Sequence, residues 1–512
     1  MASEGSEAAG RPSDRGLTLD SSKGRWVVAV AVLGSGVAFL EATVVNVALP
    51  EIGRDLDAGT GGLQWILNGY LLTLAALILL GGSLGDRFGR RKVFSIGVVW
   101  FTGSSLLCAI APSVELLVAA RVLQGVGGAL LTPGSLAIIE ATFRKEDRAR
   151  AIGAWSGLGG VAAAIGPLLG GYLVDAVSWR AIFLINLPLG AFVVLMASRH
   201  VPESRDPDAG GRLDYPGSTL AAIGLAAVTY ALIGAGGEGS PGALAAIALV
   251  GVAALAGFVL VESRSATPMM PLSIFSSRQF TAANLVTFAV YAALGGVFFL
   301  LVAFLQVSLD YSPIEAGAAS LPVTALMLFL SARAGALAQR IGARIPLTVG
   351  PLVIALGMLL MTRIEPGDSY VASVFPPVIV YGLGLTLVVA PVTATVLAAA
   401  DSRHSGVASG INNAVARVAG LLAVAVLPLV AGLTGDDFLD PAAMAEGFRT
   451  AMFFTAALAA AGGAIAFTMI RADVLDTDGE GPSSPEASND RQCPVAGPPL
   501  RPAREARASA TR

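Results

Sequence analysis

The chain has 512 residues, of which 54% are hydrophobic before glycine is counted and only 13% are charged. A soluble protein of this length could not hide that much apolar surface, so the chain is a polytopic membrane protein. The net charge of -3 selects no partner, and the two cysteines, Cys108 in a span and Cys493 in a tail, make neither a disulfide framework nor a metal site.

Residues 1–25 are polar and read as a cytoplasmic tail. They are not a cleavable signal, because the apolar run that follows has full span length. Each span needs roughly 20 apolar residues. The spans expected run over 26–49, 63–82, 93–112, 116–139, 149–172, 181–200, 216–236, 243–262, 280–307, 314–338, 345–363, 371–398, 406–433 and 447–470. Residues 471–512, rich in Pro, Ser, Glu and Arg, read as a disordered tail. With the N-terminus inside, 27 of the 33 Lys and Arg residues fall on the cytoplasmic side. Arg54, Arg180, Arg363 and Arg449 fall outside, and Arg121 and Arg417 lie within spans. That bias places both termini in the cytoplasm.

Gly82 to Val93 reads G-S-L-G-D-R-F-G-R-R-K-V, a short basic loop between two apolar runs. Gly85 and Gly89 suit a tight turn between close helix ends. The loop's basic residues are Arg87, Arg90, Arg91 and Lys92, and Asp86 can pair with a basic neighbour or face a helix N-terminus. Gly335 to Arg344 reads G-A-L-A-Q-R-I-G-A-R, a degraded copy with Gln339 at the acid's place. Both loops follow the second span of a six-span half. The chain thus divides into a first half (26–200), a cytoplasmic loop (201–215), an inserted pair (216–262), a linker (263–279) and a second half (280–470). Two related halves with a substrate site between them near the midplane are a transporter design.

Span 1 carries L-E-A-T-V-V-N-V-A-L-P, Leu40 to Pro50, and Glu41 is the one acid well inside any span. A carboxylate at that depth can take up and release a proton, as a proton carrier must. Span 4 carries R-V-L-Q-G-V-G-G-A from Arg121. A buried arginine is costly unless it faces a partner or a cavity. At ~1.5 Å per residue, Glu41 and Arg121 both lie about 12–14 Å below the outer surface, close enough to communicate. In span 5, Gly166–Pro167 permits a bend, and Gly170 and Gly171 permit close contact with a neighbour. Arg417 lies near mid-membrane in span 13 after Asn412 and Asn413, and serves either substrate contact or helix-to-helix hydrogen bonding. Further candidates for the cavity are Asn46, Gln64, Asn68, Tyr70, Gln124, Asn284, Tyr291 and Gln306. Trp179 to Gly190 reads as structural, with Trp179 an interfacial anchor.

Taken together, the loop 82–93, the Arg121–Gly127 motif, the G-P-L-L-G-G of span 5 and the span 1 motif resemble the major facilitator superfamily, in its fourteen-span drug:proton antiporter group. Glu41 stands where that group has aspartate, and Ala162 stands at one of its spaced glycines. The resemblance implies an all-α membrane fold of two pseudo-symmetric six-helix halves plus an inserted helix pair. It implies that Asp86, with Arg87, latches the cytoplasmic gate, and that the span 5 motif marks an exporter.

The expected function is therefore proton-coupled export of drugs, antibiotics or other small amphiphilic molecules across the cytoplasmic membrane by alternating access. The alternative is a proton-coupled importer of a small metabolite on the same fold; the span 5 motif argues against it. A membrane enzyme would need a convergent cluster of titratable groups, and the sequence offers one mid-span acid. No phosphate loop and no metal cluster occur, so no cofactor, no metal and no nucleotide drive are expected. The partners expected are a small-molecule substrate, protons and the bilayer, with no nucleic acid, and the chain is expected to be a monomer.

Overall fold

The computed structural model describes residues 16–206, 214–237, 239–265, 268–400 and 405–475. Fourteen helical rods occur among them: α1 (Ser22–Leu56), α2 (Thr60–Phe88), α3 (Arg90–Ala109), α4 (Val114–Thr142), α5 (Lys145–Ala176), α6 (Ala181–His200), α7 (Tyr215–Gly234), α8 (Pro241–Arg264), α9 (Arg278–Val307), α10 (Pro313–Ile341), α11 (Arg344–Met361), α12 (Tyr370–Ala398), α13 (Ser405–Ala431) and α14 (Pro441–Met469). Thirteen are long and apolar enough to cross a membrane on that measure alone. The remaining rod, α5, is 32 residues long and lies along α1. The tail expected at 471–512 begins with a short turn, Ala472–Leu475; its remaining residues, like residues 1–15 and 207–213, lie outside the described ones.

Three expected spans are not continuous helices. The rod α6 breaks at Ile185, α10 breaks at Ser320, and α12 opens with a wide turn over Tyr370–Val374. Each irregularity precedes a proline: Pro188, Pro322 and Pro376–Pro377. Proline has no N–H to give the carbonyl four residues earlier and its ring crowds that carbonyl, so the helix yields there.

The packing repeats with a period of eight rods. Contacts of α1 with α5, α2 with α4, α3 with α4, and α3 with α6 recur as α9 with α13, α10 with α12, α11 with α12, and α11 with α14. The halves meet through α2 on α13, its counterpart α5 on α10, and α1 on α9. The inserted rods α7 and α8 pack on each other, with α7 against α2 and α13. On α8, Leu249, Val250 and Val252 are exposed, which suits lipid rather than water as the solvent.

The repeat extends to single residues. Gly89 closes α2 with φ of 114° and Gly342 closes α10 with φ of 84°, at the same register of the two basic loops. Both lie where a side chain is strained. A β-carbon on Gly89 would meet the Glu203 carboxylate, and one on Gly342 would meet the Ala472 carbonyl. Gly82 faces Pro133 of α4 and Gly335 faces Ala390 of α12, both at 3.7 Å from a β-carbon.

Replacing Gly89 or Gly342 by alanine is expected to destabilise the protein by at least about 1–2 kcal/mol each. Gly103→Ala, at a helical position with no neighbour within 4 Å, is expected to lose nothing. Thermal unfolding of the three variants in detergent checks this; equal midpoints would show that the two loops carry no strain.

Candidate functional site

Glu41 and Arg121 meet. The Arg121 Nη1 lies 2.5 Å from the Glu41 Oε1, and the two side chains are 0% and 1% exposed. No water reaches the pair, so each charge depends on fixed protein groups. Arg121 Nε donates to the Ile66 carbonyl at 3.0 Å, and Nη1 also donates to the Gln124 Oε1. Its guanidinium lies over the Tyr70 ring, 4.6 Å from the centroid. The other Glu41 oxygen accepts from the Asn186 amide at 2.9 Å. Ser105 joins the ring of contacts, accepting from Gln124 at 2.8 Å and from Asn186 at 3.2 Å. Gln124 is thus part of the ion-pair network rather than a free cavity residue.

The local sequence allows this closeness. A β-carbon on Gly127 would overlap the Phe101 backbone of α3, and one on Gly125 would strike Thr73 and the Tyr70 carbonyl of α2. Bare backbone at these places lets α2, α3 and α4 pack tightly enough to bring Arg121 to Glu41.

In the basic loop the Asp86 carboxylate pairs with Arg90, with Oδ1 at 2.7 Å from Nη2 and 2.8 Å from Nε. The same loop binds the segment after α6. The Glu203 carboxylate accepts from the backbone of Arg91 and Lys92 at 3.0 and 3.2 Å, capping α3. Arg90 and Asp86 add backbone bonds to Ser204 and Asp206. Arg87 lies by the Phe88 ring. The span 5 motif packs on two neighbours. Gly166 and Gly170 rest against Thr43 and Val44 of α1, while Gly171 abuts Pro313–Ile314 of the second half. The Pro167 carbonyl lies against Gly317.

The end of the bundle distal to the basic loops is bolted across the halves. Gln64 donates to the Val424 and Ala425 carbonyls at 2.7 and 3.1 Å, and Gln306 donates to the Val47 carbonyl at 2.8 Å. Thr60 bonds the Gly435 carbonyl at 2.7 Å, and Ile314 bonds the Asp175 carboxylate at 2.9 Å. Gln64 and Gln306, expected in the cavity, therefore work as struts. Asn46 and Asn413 turn to their own helices, donating to Ala42 and Ser409. Asn284 and Asn412 bond each other at 3.2 Å, and Asn412 also bonds Thr287 at 2.8 Å. The Asn68 amide and the Tyr70 hydroxyl are buried without a partner among the described residues. Arg417 lies on α13, half-buried.

Sequence reasoning missed Asn186, Ser105 and Glu203. Asn186 lay in a stretch read as structural; as the polar residue of an apolar run just before Pro188, it carried a signal. Ser105 and Glu203 carried none beyond their type.

The fold and its half-to-half contacts define a polytopic membrane transporter. The sequence pattern of the Major Facilitator Superfamily matches residues 31–424, and the chain belongs to that family. It is 36% identical to the multidrug resistance protein Stp of Mycobacterium tuberculosis, over 80% of this chain and 76% of that one. It is 35% identical to the puromycin resistance protein pur8 of Streptomyces alboniger, over 88% and 91%. It is 37% identical to the tetracenomycin C resistance and export protein of Streptomyces glaucescens, over 81% and 77%. Among solved structures, a bacterial homolog of the human lysosomal transporter Spinster, in an inward-facing and unoccupied conformation, is similar with a TM-score of 0.62 at 17% identity, over 88% of this chain and 97% of that one.

Arg121→Met leaves Glu41 buried alone and is expected to cost about 3–5 kcal/mol of stability. The double variant Glu41→Gln with Arg121→Met is expected to recover most of that loss. A double-mutant cycle of unfolding midpoints in detergent measures it; additive losses would mean the two charges do not depend on each other.

Proposed function

We propose that the chain is an exporter of drugs, antibiotics or other small amphiphilic molecules, driven by protons moving inward. The observation that carries this reading is the dry Glu41–Arg121 pair, set in one half with its polar partners on α3, α4 and α6. The relatives' printed names, among them resistance and export proteins, support the direction of transport.

The chemistry follows from the contacts. A proton on Glu41 removes its charge and so removes the attraction for Arg121. Arg121 keeps the Ile66 carbonyl, Gln124 and the Tyr70 ring, so it is not left bare. The pair is thus a two-state element that a proton biases, as coupling requires. Substrate competes with the proton for the state in which the pair is broken. Asp86 and Arg90 hold the basic loop to the segment 201–206, which ties the ends of α2, α3 and α6 together as one moving unit. Gly171 and Pro167 close on the second half at the far end, while Gly166 and Gly170 pack α5 onto α1. Arg87 and the glycines Gly82, Gly85 and Gly89 complete that loop.

By the basic-residue bias, the sealed end faces outward and both termini lie in the cytoplasm, in the inner membrane. The halves are the units 26–200 and 280–470, and a single chain suffices for alternating access. The membrane potential supplies about 2.3 kcal/mol per proton per 100 mV.

In inverted vesicles with an acid lumen, an exported compound is expected to release protons from the lumen. Glu41→Gln is expected to lose that release while Glu41→Asp keeps part of it. Undiminished compound-driven proton release from Glu41→Gln vesicles would remove Glu41 from the coupling.

A further inference from the structure

The inserted pair holds two acids in a place that water does not reach. Glu262 lies in the last turn of α8 and is 2% exposed; Asp214 stands just before α7 and is 8% exposed. The packing of the hairpin sets them opposite each other. A β-carbon on Gly251 would meet Val228, and one on Gly257 would meet Leu220. Carried on to the end of the pair, that register puts Asp214 beside the turn that holds Glu262, and the two carboxyls lie within hydrogen-bonding reach. A second path joins the same residues. The Ser218 hydroxyl donates to the Asp214 carbonyl at 2.8 Å and lies 3.4 Å from the Met269 sulfur. The next amide, Met270, donates to the Glu262 Oε2 at 3.1 Å.

Each acid has one oxygen satisfied and one not. The Gly217 amide donates to the Asp214 Oδ1 at 2.9 Å and caps α7. The Asp214 Oδ2 and the Glu262 Oε1 are buried with no hydrogen-bond partner among the described residues. Ionised, both oxygens can only accept, and two negative charges would face each other without a cation to answer them. Among the described residues Asp214 is the charged group that faces Glu262. The linker beside them, Pro268 to Pro271, carries no charge, and the nearby Arg264 is exposed. A single proton removes the conflict, because it turns one carboxyl into a donor for the other.

We propose that Glu262 and Asp214 form a proton-binding site separate from Glu41, sharing one proton, and that this proton fastens the linker 268–277 to the inserted pair. The linker runs into Ser277, which caps α9 and donates to the Ala399 carbonyl at the end of α12 at 3.1 Å. The helix α7 packs in turn on α2 and α13. Loss of the proton sets the two charges against each other, draws Glu262 away from the Met270 amide and frees the linker. The folded chain keeps a proton that the unfolded chain has given up, so the hold is present at low pH and is lost as pH rises. By the basic-residue bias this end of the pair lies at the cytoplasm, so the site reads cytoplasmic pH whichever way the cargo moves.

The test follows hydrogen–deuterium exchange of the linker amides by mass spectrometry, with the full chain in nanodiscs. It compares about pH 6 with about pH 9, which bracket the titration of buried carboxyls. Each rate is divided by that of the free peptide at the same pH. On that scale the wild-type Met270 amide is expected to exchange at least ~10-fold more slowly at the lower pH, the change that one hydrogen bond to a carboxyl provides. Glu262→Gln puts an amide hydrogen in place of the shared proton and still accepts from Met270, so it is expected to exchange slowly at both pH values. Asp214→Asn, which can still cap α7, is expected to behave the same way. Glu262→Ala is expected to exchange fast at both. Equal wild-type exchange at the two pH values, or a pH response that survives Glu262→Gln, would overturn the proposal. Slow exchange restored at the higher pH by sodium or calcium chloride, but not by choline chloride, would overturn it in favour of a cation site. If Glu262→Ala does not fold, the wild type and the two amide variants still decide the matter. The exchange reads the linker and not export, so a failure here leaves the exporter reading untouched.

Discussion

A charge inside a membrane protein must be answered by another group, and here Glu41 and Arg121 answer each other. Neither is reachable by water, so the surrounding network is a condition of folding rather than an addition to it. That condition explains several otherwise separate features. Asn186 satisfies the second carboxylate oxygen, and its place one residue after the α6 break lets it turn inward. Gln124 holds the guanidinium on one side and Ser105 on the other. The bare backbone at Gly125 and Gly127 makes the short distances possible. Remove the pair and much of this polar architecture has no purpose; keep it and the helices of the first half are held around one buried ion pair.

Movement then has to happen between bodies, not within them. The contacts across the halves are of another kind: side-chain amides on backbone carbonyls at Gln64 and Gln306, and bare backbone at Gly171 against Pro313–Ile314. None of the described bonds at that end is an ion pair between the halves. Apart from the Ile314 amide on the exposed Asp175 carboxylate these are neutral hydrogen bonds, individually modest at about 0.5–1.5 kcal/mol each, so a handful can be made and broken within one cycle. A seal built of buried ion pairs would cost several times more to open. The strong interaction sits inside a half and the weak ones sit between halves, which is the distribution that rocking of two bundles needs.

How much of this was legible in the sequence depends on the range of the interaction. Span positions follow from local apolar length, so all fourteen rods were expected where they occur. Glu41 and Arg121 were brought together by counting residues from the span ends, because helix rise is fixed. The breaks in α6, α10 and α12 were not expected, although Pro188, Pro322 and Pro376 were in view: a proline tells that a bond is missing, not whether neighbours will straighten the rod. Glu203 and Asn186 lay beyond reach for a different reason. Their roles depend on which surface the chain returns to, and nothing local to a loop acid or a lone asparagine says that. Gln64 and Gln306 were assigned to the cavity by type, yet donate to opposing backbone; an amide suits either use equally, and only packing decides.

The two halves share a backbone but not a chemistry. The paired contacts of Gly97 with Gly127 and of Gly350 with Gly384 set the register between α4 and α12. In that register Val378 stands where α4 has Arg121, and Tyr381 stands where it has Gln124. Gln339 likewise stands where the first loop has Asp86. Arg121 and its partner Gln124 thus have uncharged counterparts. A second buried pair would add another large desolvation cost. The repeat thus gives the two bundles one shape, and the loss of symmetry in a few side chains gives the first half a buried ion pair that the second half does not match at Val378 and Tyr381.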